Sequence, residues 1–355
     1  MMPRRPVTLP AALPTSFAFA LVLLAACSSS DGGSADGTDG GSCTGVAGCP
    51  DTAPSGDAAP IDSGPPGSGP SIGGCAVFPA SNEWNRDVSG DAVDSNSANY
   101  IAAMNPTKAL HPDWGSMTDH YGIPYIVVPE SQAKVPIAFD YADESDPGPY
   151  PIPADAPIEG GAGSGGDMHV LAIQQGSCLL YELFSSTKDA SGPGWHAGSG
   201  AIWNLTTGAL RPEGWTSADA AGLPIFPGLA RADETLELKE IKHALRFTVV
   251  SSQKAYIHPA THYASSKTDP NLPPMGLRVR LKASFDLSGL SAPAQVVFTA
   301  LKKYGMFVAD NGSDWFVSGA SDDKWTSTVM DSLVSDFRKV HGSDFEVVKT
   351  GAIVK

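Results

Sequence analysis

The stretch LRVRLKASF at positions 277–285 alternates between apolar and polar side chains. An alternation with period two puts the two sets on opposite faces of a β-strand, so this segment predicts a strand with one face in a core. The segment HALRFTVV at 243–250 alternates in the same way. The segments 169–173 and 179–184 predict two further strands, joined by a hairpin at Gln175-Gly176.

Two segments have the helical period instead. Ser291 as N-cap, Pro293 in the first turn and Gly305 after the last turn predict one helix. Apolar side chains on one face predict a second helix over about 327–340.

The segments 306–309 and 315–318 flank Asn311-Gly312, which predicts another hairpin. Strands in series with few helices favour an all-β or mainly β fold. We expect a β-sandwich or jelly roll that carries two or three decorating helices.

The amino terminus has the features of a secretory signal. Arg4 and Arg5 precede an apolar run at 17–26 that is too short to span a bilayer. The run ends in LAAC at 24–27, which resembles the lipobox of bacterial lipoproteins. The resemblance implies cleavage after residue 26, lipidation of Cys27, and an outer-membrane or cell-surface location with the lipid as the only membrane contact.

Composition divides the rest of the chain. Residues 27–72 are rich in Gly, Ser, Asp, Ala and Pro and predict a disordered tether. Residues 73–355 predict one globular domain, which we expect to be a monomer. The formal net charge of −15 argues against a nucleic-acid partner.

Five cysteines are present. Lipidation of Cys27 leaves four, which allow three pairings in an oxidising compartment. We favour Cys43 with Cys49 inside the tether and Cys75 with Cys178 inside the domain. This count leaves no free thiol for catalysis.

No zinc-protease, phosphate-loop, dinucleotide or nucleophile-elbow motif occurs in the structural context that it needs, so no cofactor is predicted. The long irregular stretch 140–166 contains several acidic residues whose oxygens suit calcium. They are a candidate structural Ca²⁺ site, against the alternative of a solvated acidic loop. The candidate ligands are Asp140, Asp143, Glu144 and Asp146.

Titratable residues at strand positions are the candidate catalysts. Glu182 lies within the apolar segment 179–184, where desolvation would favour its protonated form. Asp167 or Asp219 is its candidate partner, and Glu159 and Asp310 are further candidates. His169 and His243 are candidate bases. For each of them a structural hydrogen bond is the alternative.

A second set of residues suggests carbohydrate binding. Arg246, Arg278 and Arg280 would form a cationic stripe if their strands were neighbours, and guanidinium groups can bind uronate carboxylates. Tryptophans near loops and strand ends can stack on sugar rings, although core packing is the alternative for each. They are Trp114, Trp195, Trp203, Trp215, Trp315 and Trp325, of which Trp203 and Trp215 are the preferred candidates.

The expectation from sequence is an extracytoplasmic protein that acts on a polysaccharide or oligosaccharide. A glycoside hydrolase with paired carboxylates is favoured. A lyase that acts on a uronate polymer, with His243 and the arginines, is one alternative. A glycan-binding or adhesion lipoprotein without catalysis is the other.

Overall fold

The structure is a computed structural model, and it describes residues 69–349 and 351–355. Cys27, Cys43 and Cys49, with the predicted signal peptide and most of the predicted tether, lie outside the described residues. Strand β1 (Ser71–Ile72) pairs with β2 (Cys75–Ala76), so the folded part begins slightly before the predicted boundary at 73. In the described part of the chain, no helix has both the length and the apolar character to cross a membrane.

The described residues form several sheets with few helices, which confirms the mainly β class. The sheets mix parallel and antiparallel pairs, whereas a jelly roll is antiparallel. The arrangement as a sandwich stays a prediction. The α-helices among the described residues are α1 (Ser97–Ala103), α2 (Ala292–Lys303) and α3 (Ser327–Phe337). A π-helical segment (Asp233–Leu238) and three single-turn 3₁₀ helices (Ala142–Glu144, Phe226–Gly228 and Gly342–Asp344) accompany them.

A six-stranded sheet has the order β15–β12–β13–β11–β14–β3. Its strands are β3 (His111–Asp113), β11 (Leu245–Val249), β12 (Arg278–Leu281), β13 (Met306–Asn311), β14 (Phe316–Ser318) and β15 (Phe345–Val347). Strand β11 lies between β13, to which it is parallel, and β14, to which it is antiparallel. The predicted hairpin around Asn311-Gly312 is therefore wrong, because β11 occupies the place between its two strands.

A four-stranded sheet has the order β10–β7–β6–β4. Its strands are β4 (Tyr125–Val128), β6 (Val170–Gln174), β7 (Leu179–Phe184) and β10 (Ser199–Asn204). The predicted hairpin of β6 and β7 is confirmed. One face, with Leu171 and Leu180, belongs to the main core, and the other, with Val170 and Leu183, belongs to a smaller core.

A three-stranded sheet adjoins the smaller core. It has the order β5–β9–β8, with β5 (Ile137–Phe139), β8 (Thr187–Lys188) and β9 (Trp195–Ala197). Trp195 and Ala197 of β9 belong to the smaller core, and Phe139 of β5 packs against it. Both faces of β6 and β7 are therefore covered, which explains why these strands are apolar almost throughout.

The disulfide between Cys75 and Cys178 is present, as expected. It joins the entry of the folded part to the end of the β6–β7 turn, and both cysteines belong to or pack against the main core. Pairing of Cys43 with Cys49 stays a prediction.

Candidate functional site: an acidic cleft over the central strands

A cleft of about 350 Å³ lies over one face of the six-stranded sheet. Its floor is a row of polar side chains from four neighbouring strands. Residues that pair across strands point to the same face, which places the members of this row side by side. They are Asp113 of β3, Ser318 of β14, Arg246 and Thr248 of β11, and Asp310 of β13.

Asp310 reaches this face because of a β-bulge. Phe247 pairs with Val308, but the next residue, Thr248, pairs with Asp310, so Ala309 is the extra residue of β13. A bulge re-aims the side chains that follow it. Without the bulge, Ala309 would lie beside Thr248 and Asp310 would point to the opposite face. The carbonyl of Ala309 accepts a hydrogen bond from the Ala221 amide at 3.1 Å, which ties the bulge to the loop that carries Asp219.

Arg246 is the buried cation of the floor. Its Nη2 donates to Asp219 Oδ1 at 2.9 Å and its Nη1 donates to Ser318 Oγ at 2.9 Å. Asp219 lies behind the floor and is fully buried, and its burial raises its pKa to about 6 against the opposing charge of Arg246. Arg246 is thereby fixed in position on the cleft floor.

Asp310 is the carboxyl group of the cleft that is best suited to hold a proton near neutral pH. Desolvation and the nearby charge of Asp219 raise its pKa to about 7, although Arg246 opposes the shift. A carboxylic acid with this pKa can donate a proton at pH 7 and be reprotonated afterwards. It lines an open cleft, so a substrate atom can reach it.

The opposite wall comes from the segment that leads into β6. His169 is buried, its Nδ1 lies 2.6 Å from Glu159 Oε2, and its Nε2 lies 3.0 Å from the carbonyl of Ala218. Burial disfavours the imidazolium ion, but the charge of Glu159 outweighs burial and raises the pKa of His169 to about 9. His169 is therefore a cation that donates from both nitrogens, and Asp167 stands exposed beside it in the same cleft.

Glu159, Asp167 and His169 have potential ligand atoms within 4.8 Å of one another. Both ring nitrogens of His169 already have hydrogen-bond partners, Glu159 and the carbonyl of Ala218, so a metal ion would have to displace one of them. The cluster therefore fits an ion-paired wall better than a metal centre.

Glu182 does not lie in the cleft. It is fully buried, and its carboxylate accepts hydrogen bonds from the amides of Ile225 and Phe226 and from Trp203 Nε1, at 2.8–3.0 Å. Desolvation raises its pKa, as the sequence suggested. These contacts agree with the alternative that Glu182 makes structural hydrogen bonds. No substrate can reach the side chain, because it is fully buried.

His243 is also removed from the cleft. It is buried with its Nε2 3.0 Å from Glu234, which in turn pairs with Arg231 at 2.8 Å. This network connects the segment before β11 to the π-helical segment, so the proposed role of His243 as a base has no support from its position.

The predicted cationic stripe does not form, because β13 separates β11 from β12. Arg278 is buried and donates to the carbonyls of Tyr304 and Arg86, and Arg280 pairs with Glu346 at 2.8 Å. Only Arg246 of the three lines the cleft.

The predicted stacking tryptophans are mostly core residues. The rings of Trp203 and Trp215 both lie near the Arg211 guanidinium, with centroids 5.7 and 5.6 Å from its Cζ. The remaining four predicted platforms are at most 1 % exposed. They are Trp114, Trp195, Trp315 and Trp325.

The predicted calcium ligands do not converge. Asp146 pairs with Arg211, Glu144 accepts from the Thr216 amide at 3.1 Å, and Asp140 pairs with His196 at 3.0 Å. Within residues 69–349 and 351–355, the only group of three potential ligands is the one that contains His169. The acidic stretch is held by these separate contacts, and Asp143 is exposed.

Sequence reasoning missed part of the site. Asp113, His120 and Tyr121 line the cleft but come from segment 111–122, HPDWGSMTDHYG. The density of His, Asp, Tyr and Trp around its glycines was the available signal. No family model, curated protein or solved structure matches this chain, so the geometry of the cleft carries the functional argument.

Proposed function

We propose that this protein is a glycoside hydrolase whose general acid is Asp310. The observation that carries the proposal is the position of Asp310 at the floor of an open cleft lined by further carboxylates, where desolvation raises its pKa to about 7. Glycoside hydrolysis needs one protonated and one ionised carboxyl group on the two sides of the scissile bond. The proposal keeps the reaction predicted from sequence and replaces Glu182 with Asp310.

In this mechanism, Asp310 gives its proton to the glycosidic oxygen as the bond from that oxygen to the anomeric carbon breaks. Water attacks the anomeric carbon and gives a proton to Asp167, the exposed carboxylate of the opposite wall. Arg246 and the His169–Glu159 pair hold the floor and this wall in place. Proton transfer from Asp167 back to Asp310 through solvent restores the starting state.

The charge of the cleft bears on the substrate. Asp113 and Asp167 line it beside the protonated Asp310, while Glu159 neutralises His169 and Asp219 neutralises Arg246. A surplus of carboxylates repels uronate polymers, so we propose a neutral glycan. The lyase alternative is less favoured, because Arg278 and Arg280 lie outside the cleft and each of the three arginines already pairs with a carboxylate of the protein. The predicted lipid anchor would place this activity at the cell surface.

The test incubates purified protein with a panel of neutral plant and microbial glycans and measures newly formed reducing ends. We expect release by the wild type and a loss of about 100- to 10,000-fold in Asp310→Asn, which keeps the shape of the side chain and removes the acidic proton. Asp143→Asn, on an exposed acid outside the cleft, is the matched control and should retain full activity. Glycan binding with no product would instead favour the non-catalytic alternative, and undiminished activity of Asp310→Asn would remove Asp310 from the mechanism.

A further inference from the structure

Next to the acidic cleft lies a larger groove of about 640 Å³. Its walls come from the segment 111–121 and from the start of α3. Tyr121 lines both the groove and the acidic cleft, so the two spaces meet at this side chain. His120 and Gly122, on either side of Tyr121, line the cleft as well.

The lining of the groove combines an apolar base with a polar rim. Met330 and Val334 of α3 and the buried Trp325 supply the apolar part, and Ser116 and Asp119 are among the polar residues. Sugar rings present both apolar C–H faces and hydroxyl groups, and a groove of this composition can bind both.

Tyr121 is the exposed aromatic side chain at the junction, with 40 % of its surface accessible. Its hydroxyl lies 2.7 Å from His111 Nε2, which fixes the orientation of the ring. Its backbone carbonyl accepts from the Gly115 amide and from Ser321 Oγ, both at 2.9 Å. A ring held in this way is a preorganised stacking platform, because little freedom remains to be lost when a ligand binds.

We infer that the groove binds further sugar units of the same glycan that is cleaved beside Asp310, with Tyr121 as the platform between the two spaces. The substrate is then a polymer that lies across both, and cleavage occurs within the chain. A groove that adjoins the cleft at Tyr121 can hold the sugar units that extend beyond the scissile bond, which favours cleavage at a distance from the chain end.

This inference rests on the proposed function. The first measurement is the size of the products released early from a neutral polysaccharide that the protein cleaves. We expect long fragments and a rapid fall in viscosity. If no glycan is cleaved, both the proposed function and this inference fail. If cleavage releases only mono- and disaccharides while viscosity persists, the inference alone fails.

The second measurement compares kcat/KM on the polymer with kcat/KM on the shortest oligosaccharide that is cleaved. Tyr121→Ala removes the platform, and Met330→Trp fills the groove. Each variant should lower the polymer-to-oligosaccharide ratio at least tenfold. Asp331→Ala, on an exposed position of α3 outside the groove, should leave the ratio unchanged. Tyr121→Phe keeps the ring and should retain most of the ratio. A ratio equal to that of the wild type in both Tyr121→Ala and Met330→Trp would overturn the inference.

Discussion

At the scale of single residues, Asp310 has an environment that disfavours its ionised form and a position that a substrate in the cleft can reach. Its folded pKa of about 7 exceeds the ordinary value for Asp, so the folded state binds this proton more tightly than the unfolded state. The stabilising effect of the proton is present at low pH and is lost as the pH rises through about 7. Above that pH, the ionised group destabilises the fold.

Asp310→Asn should therefore be more stable than the wild type at pH 8.5, by about 2 kcal/mol, because a neutral side chain replaces a desolvated anion. The difference should disappear at about pH 3, below the ordinary pKa of Asp, where the side chain is uncharged in both the folded and the unfolded state. Urea unfolding at the two pH values measures it. A variant that is less stable than the wild type at pH 8.5 would identify Asp310 as a structural residue instead.

Glu182 differs from Asp310 in that its contacts are those of a structural residue. Glu182→Gln presents an amide N–H₂ group to backbone amides and the indole N–H, which all need an acceptor. We expect the free energy of unfolding to fall by about 2–4 kcal/mol, while the folded fraction keeps its activity. Chemical unfolding followed by an activity assay under native conditions checks this. A stable but inactive variant would contradict the structural role.

At the scale of elements, local signals in the sequence predicted individual helices and a short hairpin. They could not predict which distant segments pair in a sheet. The cap positions predicted the bounds of α2, although the Ser291 side chain makes no capping hydrogen bond. Periodicity predicted α3 to within its last turn, and the short turn predicted the β6–β7 hairpin. The insertion of β11 between β13 and β14 is a contact between distant segments, for which the sequence has no local signal. The bulge at Ala309 depends on that pairing, so the orientation of Asp310 could not be read from alternation.

The shape of the segment 115–122, which carries Tyr121, depends on one glycine. Gly122 has φ +95°, and a Cβ atom there would lie 2.8 Å from the Gly319 carbonyl oxygen. Gly122→Ala should lower stability by at least about 2 kcal/mol and weaken binding at Tyr121. Gly74→Ala is the matched control, since Gly74 has φ +88° and open space around it. Equal thermal unfolding shifts in the two variants would show that the contact with Gly319 has no effect.

At the scale of the whole molecule, the site joins segments that are far apart in sequence. Glu159, Asp167 and His169 precede β6, Asp219 lies in a loop, and Arg246 and Asp310 lie in two strands of the other sheet. Sequence analysis proposed each as a candidate, because buried or loop-borne charged residues are often functional. It could not separate them from Glu182, His243 and Arg278, since only tertiary structure decides which of these polar residues line the cleft or pair with a residue that lines it.

The Cys75–Cys178 disulfide acts at this scale too, because it closes a loop with a sequence separation of 103 residues. Replacing both cysteines with serine should lower the free energy of unfolding by up to about 4–5 kcal/mol through the entropy of the unfolded chain. Denaturant unfolding of the wild type, with and without reductant, and of the double variant measures this. Identical midpoints for all three would show that the disulfide contributes no stability.

The central claim is that Asp310 holds a proton near neutral pH at the floor of the cleft. The most direct measurement is an NMR titration of the aspartate carboxyl carbons in the wild type, with Asp310→Asn used to assign the Asp310 signal. We predict a midpoint near pH 7 for this signal, and a fall in glycan cleavage above the same pH. A midpoint below pH 5 would contradict the account, because Asp310 would then be ionised under working conditions and have no proton to give.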